Sequence, residues 1–112
     1  GLGYGGRVPS PTYTLLEHYP LDGLDVVHLD LYRLTGDAEL ENLGLRDWLS
    51  APATWLLVEW PERAPQLAAQ CDLTLAFAER VGGGRTVTFE GGTAAGIAAL
   101  QRACHPDPSN AR

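Results

Sequence analysis

There is no lysine in this 112-residue chain; all eight of its basic residues are arginine. Without lysine, no G-x-x-x-x-G-K-[ST] phosphate loop can be written anywhere in it. The arginines are outnumbered by 14 acidic residues, for a formal net charge of -6. Nucleic-acid affinity comes largely from cationic side chains that displace phosphate counterions. With no basic stripe present, unaided binding to RNA or DNA is not expected. Methionine is absent as well, which leaves open that Gly1 is not the natural start. No apolar run approaches the ~20 residues of a membrane-spanning helix. Cysteine is scarce: Cys71 and Cys104 stand far apart, with no CxxC and no neighbouring histidine pair. Neither a zinc motif nor a redox motif is spelled, and idle thiols in a reducing, cytoplasmic home are expected.

Glycine, by contrast, is plentiful, and the chain opens on "GLGYGG", which fits G-x-G-x-x-G. A dinucleotide fingerprint needs a strand feeding the first glycine and a helix starting at the last. Here "RVPSPTYT" follows, and Pro9 and Pro11 block a helix. The glycines therefore read as a connector.

Residues 12–19 are rich in β-branched and aromatic side chains and predict a strand, followed by a turn at Pro20-Leu21-Asp22-Gly23. A second strand is expected over Asp25–Tyr32. Thr35 or Asp37 can cap a short helix through Leu43, closed by Gly44, and Leu45–Leu49 forms a second short amphipathic piece with Trp48 inward. Thr54–Trp60 is the most hydrophobic stretch and predicts a central strand with both faces covered. Pro61 ends it, and a short helix is expected from Glu62 to Gln70. Two alternating strands, Asp72–Ala78 and Arg85–Glu90, are joined by Gly82-Gly83-Gly84 as a hairpin. Thr93 then caps an alanine-rich helix to about Cys104. This pattern predicts a single α/β layered domain over residues 1–104, with a central mostly parallel sheet and a C-terminal β-hairpin plus helix, and a frayed tail over 105–112.

Two strands share one feature: an apolar run that ends in a carboxylate. "VVHLD" ends at Asp30 and "WLLVE" at Glu59. In open α/β sheets, ligands bind beyond the carboxyl ends of parallel strands. As parallel neighbours these two would bring Asp30 and Glu59 to one rim, where two carboxylates suit Mg²⁺ better than zinc. The plain alternative is a pair of solvated strand ends, and a glycosidase-like acid pair is a further one. The "PSPT" loop presents Ser10 and Thr12 before a strand, placed to touch a phosphate or a Mg²⁺-bound water, or else merely to cap a turn. His18 reads as a surface residue and His28 as a packed strand residue. Arg33, Glu62 and Arg63 follow the acids closely and can pair with them.

"SPTYTLLEHY", "VVHLDLYRL", "AELENLGLRDWL" and "WLLVEWPERA", in that order, resemble successive blocks of the TsaE family. The likeness runs from about Pro9 to Arg63, with a looser hairpin match through Glu90. TsaE proteins are the bacterial ATPase components of the tRNA threonylcarbamoyladenosine modification machinery. The resemblance implies a P-loop NTPase fold that binds ATP and Mg²⁺, a strand, Walker A loop and helix ahead of the present blocks, and "GLGYGG" as the exit from that helix. It carries a switch-like loop onto Ser10 and Thr12, and the acidic metal-binding and catalytic site onto Asp30 and Glu59. It also carries a place beside the nucleotide onto Trp60. The Walker A lysine and its neighbouring hydroxyl have no counterpart here. The partners implied are the protein subunits of the threonylcarbamoyl-transferase complex, with tRNA engaged only indirectly. A non-catalytic copy that acts as a protein-interaction module is the alternative.

Overall fold

The computed structural model describes residues 2–8 and 15–104. The chain divides into two compact units, Gly1–Pro65 and Gln66–Arg112.

The first unit is built on three strands, β1 (Leu16–Leu21), β2 (Leu24–Asp30) and β3 (Thr54–Glu59), in the order β1-β2-β3. β1 and β2 form an antiparallel hairpin, and β2 and β3 are parallel. The expected α/β class holds, with one parallel and one antiparallel pair in this sheet. The hairpin turn is tighter than expected. β1 continues through Pro20 and Leu21, and only Asp22-Gly23 turn, with Gly23 at φ 74°. A two-residue turn of this kind needs positive φ, which glycine supplies without strain. Pro20 is tolerated because β1 lies at the sheet edge, where a missing N–H breaks no ladder.

Two short helices lie on the β2–β3 crossover: α1 (Asp37–Asn42) and α2 (Leu45–Ser50). Gly36, in extended backbone, is the N-cap of α1. Thr35, one residue earlier, gives both its backbone N–H and its hydroxyl to Glu39 Oε2. Gly44 separates the two helices in the left-handed region, φ 71°, as its glycine identity suggests. Trp48 of α2 is half-buried, its ring 4.6 Å from that of His18.

The pairing register assigns the two faces of this sheet. Leu16, His18, Val27, Leu29, Leu56 and Val58 share the face that Trp48 contacts; Val27 and Leu29 are fully buried there. Glu17, Tyr19, Val26, His28, Asp30, Trp55, Leu57 and Glu59 share the other. At its β1 end that face is closed by Tyr4, whose ring meets Tyr19 edge-on at 4.9 Å. The opening glycines thus lead to an aromatic anchor, and residues 2–8 carry no helix or strand.

β3 differs from its expected central place. Among the described residues it pairs with β2 alone, and its burial alternates. Trp55 and Leu57 are 52% and 51% exposed. A hydrophobic run marks a strand that wants cover, but its neighbours decide whether both faces receive it.

A 3₁₀ turn over Pro61–Arg63 follows β3, and the expected helix is then interrupted. Ala64 precedes Pro65, and that position disfavours helical backbone; Ala64 has φ −135°. Helix α3 is therefore confined to Pro65–Ala68.

The second unit carries the hairpin β4 (Leu73–Glu79) and β5 (Arg85–Gly91), then helix α4 (Ala94–Cys104). Gly82, Gly83 and Gly84 all have positive φ in the turn. Leu73, Leu75 and Phe77 line one face with Val87 and Phe89, all of them exposed. Thr93 Oγ accepts the Gly96 N–H at 3.1 Å, as expected of an N-cap, and donates to Asp72 Oδ1.

Candidate functional site

Asp30 and Glu59 are the last residues of β2 and β3 and are direct partners in the parallel register. Parallel strands lie about 4.8 Å apart, and paired residues point to the same side. The two carboxylates therefore emerge side by side at the carboxyl rim, on the face away from Trp48.

Each acid has one oxygen held. The Tyr32 N–H donates to Asp30 Oδ1 at 3.1 Å, where the chain turns out of β2. Glu59 Oε2 is 2.8 Å from His28 Nε2. No partner is recorded for Asp30 Oδ2 or Glu59 Oε1 among the described residues. The rim backbone is tied by the Leu31 N–H, which donates to the Glu59 carbonyl at 3.1 Å.

Immediately past Glu59 the chain makes an unusual turn. Trp60 adopts the left-handed region, φ 59° and ψ 51°, and starts the 3₁₀ turn by accepting the Arg63 N–H on its carbonyl. A bulky residue in this region is a genuine outlier, and such strain gathers at functional sites. Its indole lies 5.0 Å from the Tyr32 ring, and the Arg63 guanidinium stands 5.8 Å over that same ring. Tyr32, Trp60 and Arg63 form one cluster beside the acids. Arg63, expected near the carboxylates, instead has its recorded contact with Tyr32. Neither Arg33 nor Glu62 has a recorded partner among the described residues.

The two histidines sit as the sequence suggests, and each has a partner besides. His18 is exposed, and it contacts Trp48 and lies 2.8 Å from Asp25 Oδ1. His28 is well packed, with 17% of its side chain exposed, but it engages Glu59 directly. A period-two count puts His28 and Asp30 on one face of β2. It cannot place Glu59 beside them, because that contact spans 31 residues.

Ser10 and Thr12, the switch-loop candidates, lie outside the described residues. So does the tail over 105–112. Among the described residues no group of three or more His, Cys, Asp and Glu could hold a metal by itself. The donor set here is two carboxylates. That suits Mg²⁺, which is usually held by one or two carboxylates, with water and substrate phosphate completing its shell. Cys71 is half-buried, its Sγ–H directed at the Leu67 carbonyl, and burial with Asp72 beside it pushes the thiol pKa up. Such a thiol is a poor nucleophile at neutral pH.

Fold and rim together describe a mixed α/β protein with paired acids beyond the carboxyl ends of two parallel strands. A model of the family "Threonylcarbamoyl adenosine biosynthesis protein TsaE" matches residues 1–87. The chain belongs to the TsaE family. Three relatives are named tRNA threonylcarbamoyladenosine biosynthesis protein TsaE. The one from Haemophilus influenzae is 41% identical over 73 residues, covering 65% of this chain and 46% of that protein. The Synechocystis relative is 41% identical over 73 residues, 62% of this chain and 46% of its own length. The Streptomyces coelicolor relative is 38% identical over 85 residues, with coverage of 73% and 56%. The chain thus spans about half the length of the curated relatives it matches. No helix among the described residues is long and apolar enough to cross a membrane.

Proposed function

We propose that this chain belongs to an ATPase component of tRNA threonylcarbamoyladenosine biosynthesis, in which Asp30 and Glu59 hold the Mg²⁺ of Mg-ATP. The observation that carries the reading is the register pairing of the two acids at the parallel rim, inside the stretch matched by the TsaE family model. When bound, the ion would neutralise charge on the transferring phosphate. The protein's share is positional. Asp30 and Glu59 each keep one oxygen anchored and present the other, and they are the catalytic pair of this reading. Trp60, in contact with Tyr32, would lie beside the nucleotide, and Ser10 and Thr12 would contact its terminal phosphate.

The phosphate cradle itself has to come from a segment bearing a Walker lysine, because this chain has none. Backbone amides and that lysine carry most of the phosphate contact in P-loop proteins. The partners are the protein subunits of the threonylcarbamoyl-transferase complex. A net charge of -6 leaves tRNA to those subunits and fits an indirect role. The setting is cytoplasmic.

A second reading is favoured by the missing lysine: the chain acts only as a docking module for the same subunits. Co-purification with purified transferase subunits, with and without ATP, tests both. The chain on its own is expected to co-purify to the same extent in either condition, since it cannot cradle the nucleotide. Retention that depends on ATP would contradict the cradle argument, and no retention at all would contradict both readings.

A further inference from the structure

His28 sits in the middle of the face that carries Asp30 and Glu59, in register with Leu57 on one side and with Glu17 on the other. From there its ring reaches diagonally along the sheet to Glu59, the residue two beyond Leu57 on β3. The bond is short, Nε2 to Oε2 at 2.8 Å. Its two ends differ in freedom: the imidazole is packed, whereas the Glu59 side chain is 47% exposed. An exposed glutamate has three rotatable bonds and ordinarily samples several rotamers. Here one oxygen is tethered to a packed ring on the middle strand of the sheet.

We propose that His28 is a positioning residue that fixes the Glu59 carboxylate so that Oε1 points at the divalent-cation position shared with Asp30. The inference rests on the Mg²⁺ reading above and adds to it a residue that composition and strand pattern placed only in the packing. A carboxylate accepts and does not donate, so the bond requires the imidazole proton on Nε2. Residues that orient a metal-binding carboxylate through a hydrogen bond typically change metal affinity by 10–100-fold when removed. His28 acts here through Glu59 and touches no ion itself.

The test uses the 112-residue chain and Mn²⁺ alone, a paramagnetic substitute for Mg²⁺, with free ion read by electron paramagnetic resonance. His28→Leu keeps an apolar strand residue but removes the donor, and it is expected to weaken Mn²⁺ binding by about tenfold or more. His28→Gln places an amide N–H close to the Nε2 position and is expected to restore most of the loss, which a purely structural role would not do. Glu59→Gln serves as the control for the site. If Glu59→Gln loses Mn²⁺ while His28→Leu binds as the native chain does, the inference is overturned and the carboxylate reading stands. A His28→Gln variant as weak as His28→Leu also overturns it. Native-like binding by Glu59→Gln, or no binding by the native chain, overturns the metal reading and the inference with it. Should His28→Leu lose its cooperative melt, long-range proton–nitrogen spectra of the native chain decide. They are expected to show the proton on His28 Nε2, and a proton on Nδ1 alone refutes the proposal.

Discussion

At the scale of single residues, the most informative side chain is one that breaks a local rule. Trp60 holds a left-handed backbone that costs a non-glycine residue about 1–2 kcal/mol, and it does so directly after Glu59. Trp60→Ala and Trp60→Gly both lose the indole contact with Tyr32, but only the alanine keeps the backbone penalty. Glycine is therefore expected to be the more stable of the two, by about 0.5–1 kcal/mol after its own entropic cost. Urea melts of the pair check this, and a less stable glycine variant would show that Trp60 is unstrained. Asp30 and Glu59 were legible in the sequence because an apolar run ending in one acid is a pattern of neighbours along the chain. The strained turn at Trp60 was not, since Pro61 explains why β3 stops but not which way the backbone leaves. His28 stayed hidden for a different reason: its partner lies on a strand that joins it only after folding.

At the scale of elements, glycines and caps decide more than propensity does. In the second unit, a methyl group added at Gly96 would lie 1.7 Å from the Asp72 carbonyl oxygen, which no rotamer can relieve. Gly96→Ala is expected to cost about 1–3 kcal/mol, or more, by forcing α4 off the start of β4. An unchanged thermal melt would mean that α4 does not pack as described. Helix α1 makes a prediction with pH. Hydrogen bonds from the Thr35 hydroxyl and backbone N–H hold the Glu39 carboxyl below its ordinary value. A lowered folded-state pKa contributes stability that is complete above the unfolded value and fades as pH falls through the folded one. Thr35→Val should therefore lower the melting temperature at neutral pH and narrow its gap to the native chain in acid. A gap that is constant with pH would exclude this linkage. The hairpin, the Thr93 cap and the Gly44 break were readable as local spelling. The extent of β1 was not, because Pro20 looks like a turn residue until its strand is known to lie at an edge.

At the scale of the whole molecule, two compact units carry a sequence that matches about half the length of its relatives. The α/β class follows from the order of strands and helices, which the sequence displays. The pairing of β3 with β2 alone among the described residues, with Trp55 and Leu57 half open to solvent, does not, because hydrophobicity records a need for cover and not its fulfilment. The functional account rests on the rim where β2 and β3 end together. Measuring Mn²⁺ affinity by water-proton relaxation for the native chain, Asp30→Asn and Glu59→Gln tests it most directly. Each substitution removes one of the two carboxylates proposed to hold the ion and is expected to weaken binding by about tenfold or more, with the melt preserved. Native affinity in both variants would contradict the account.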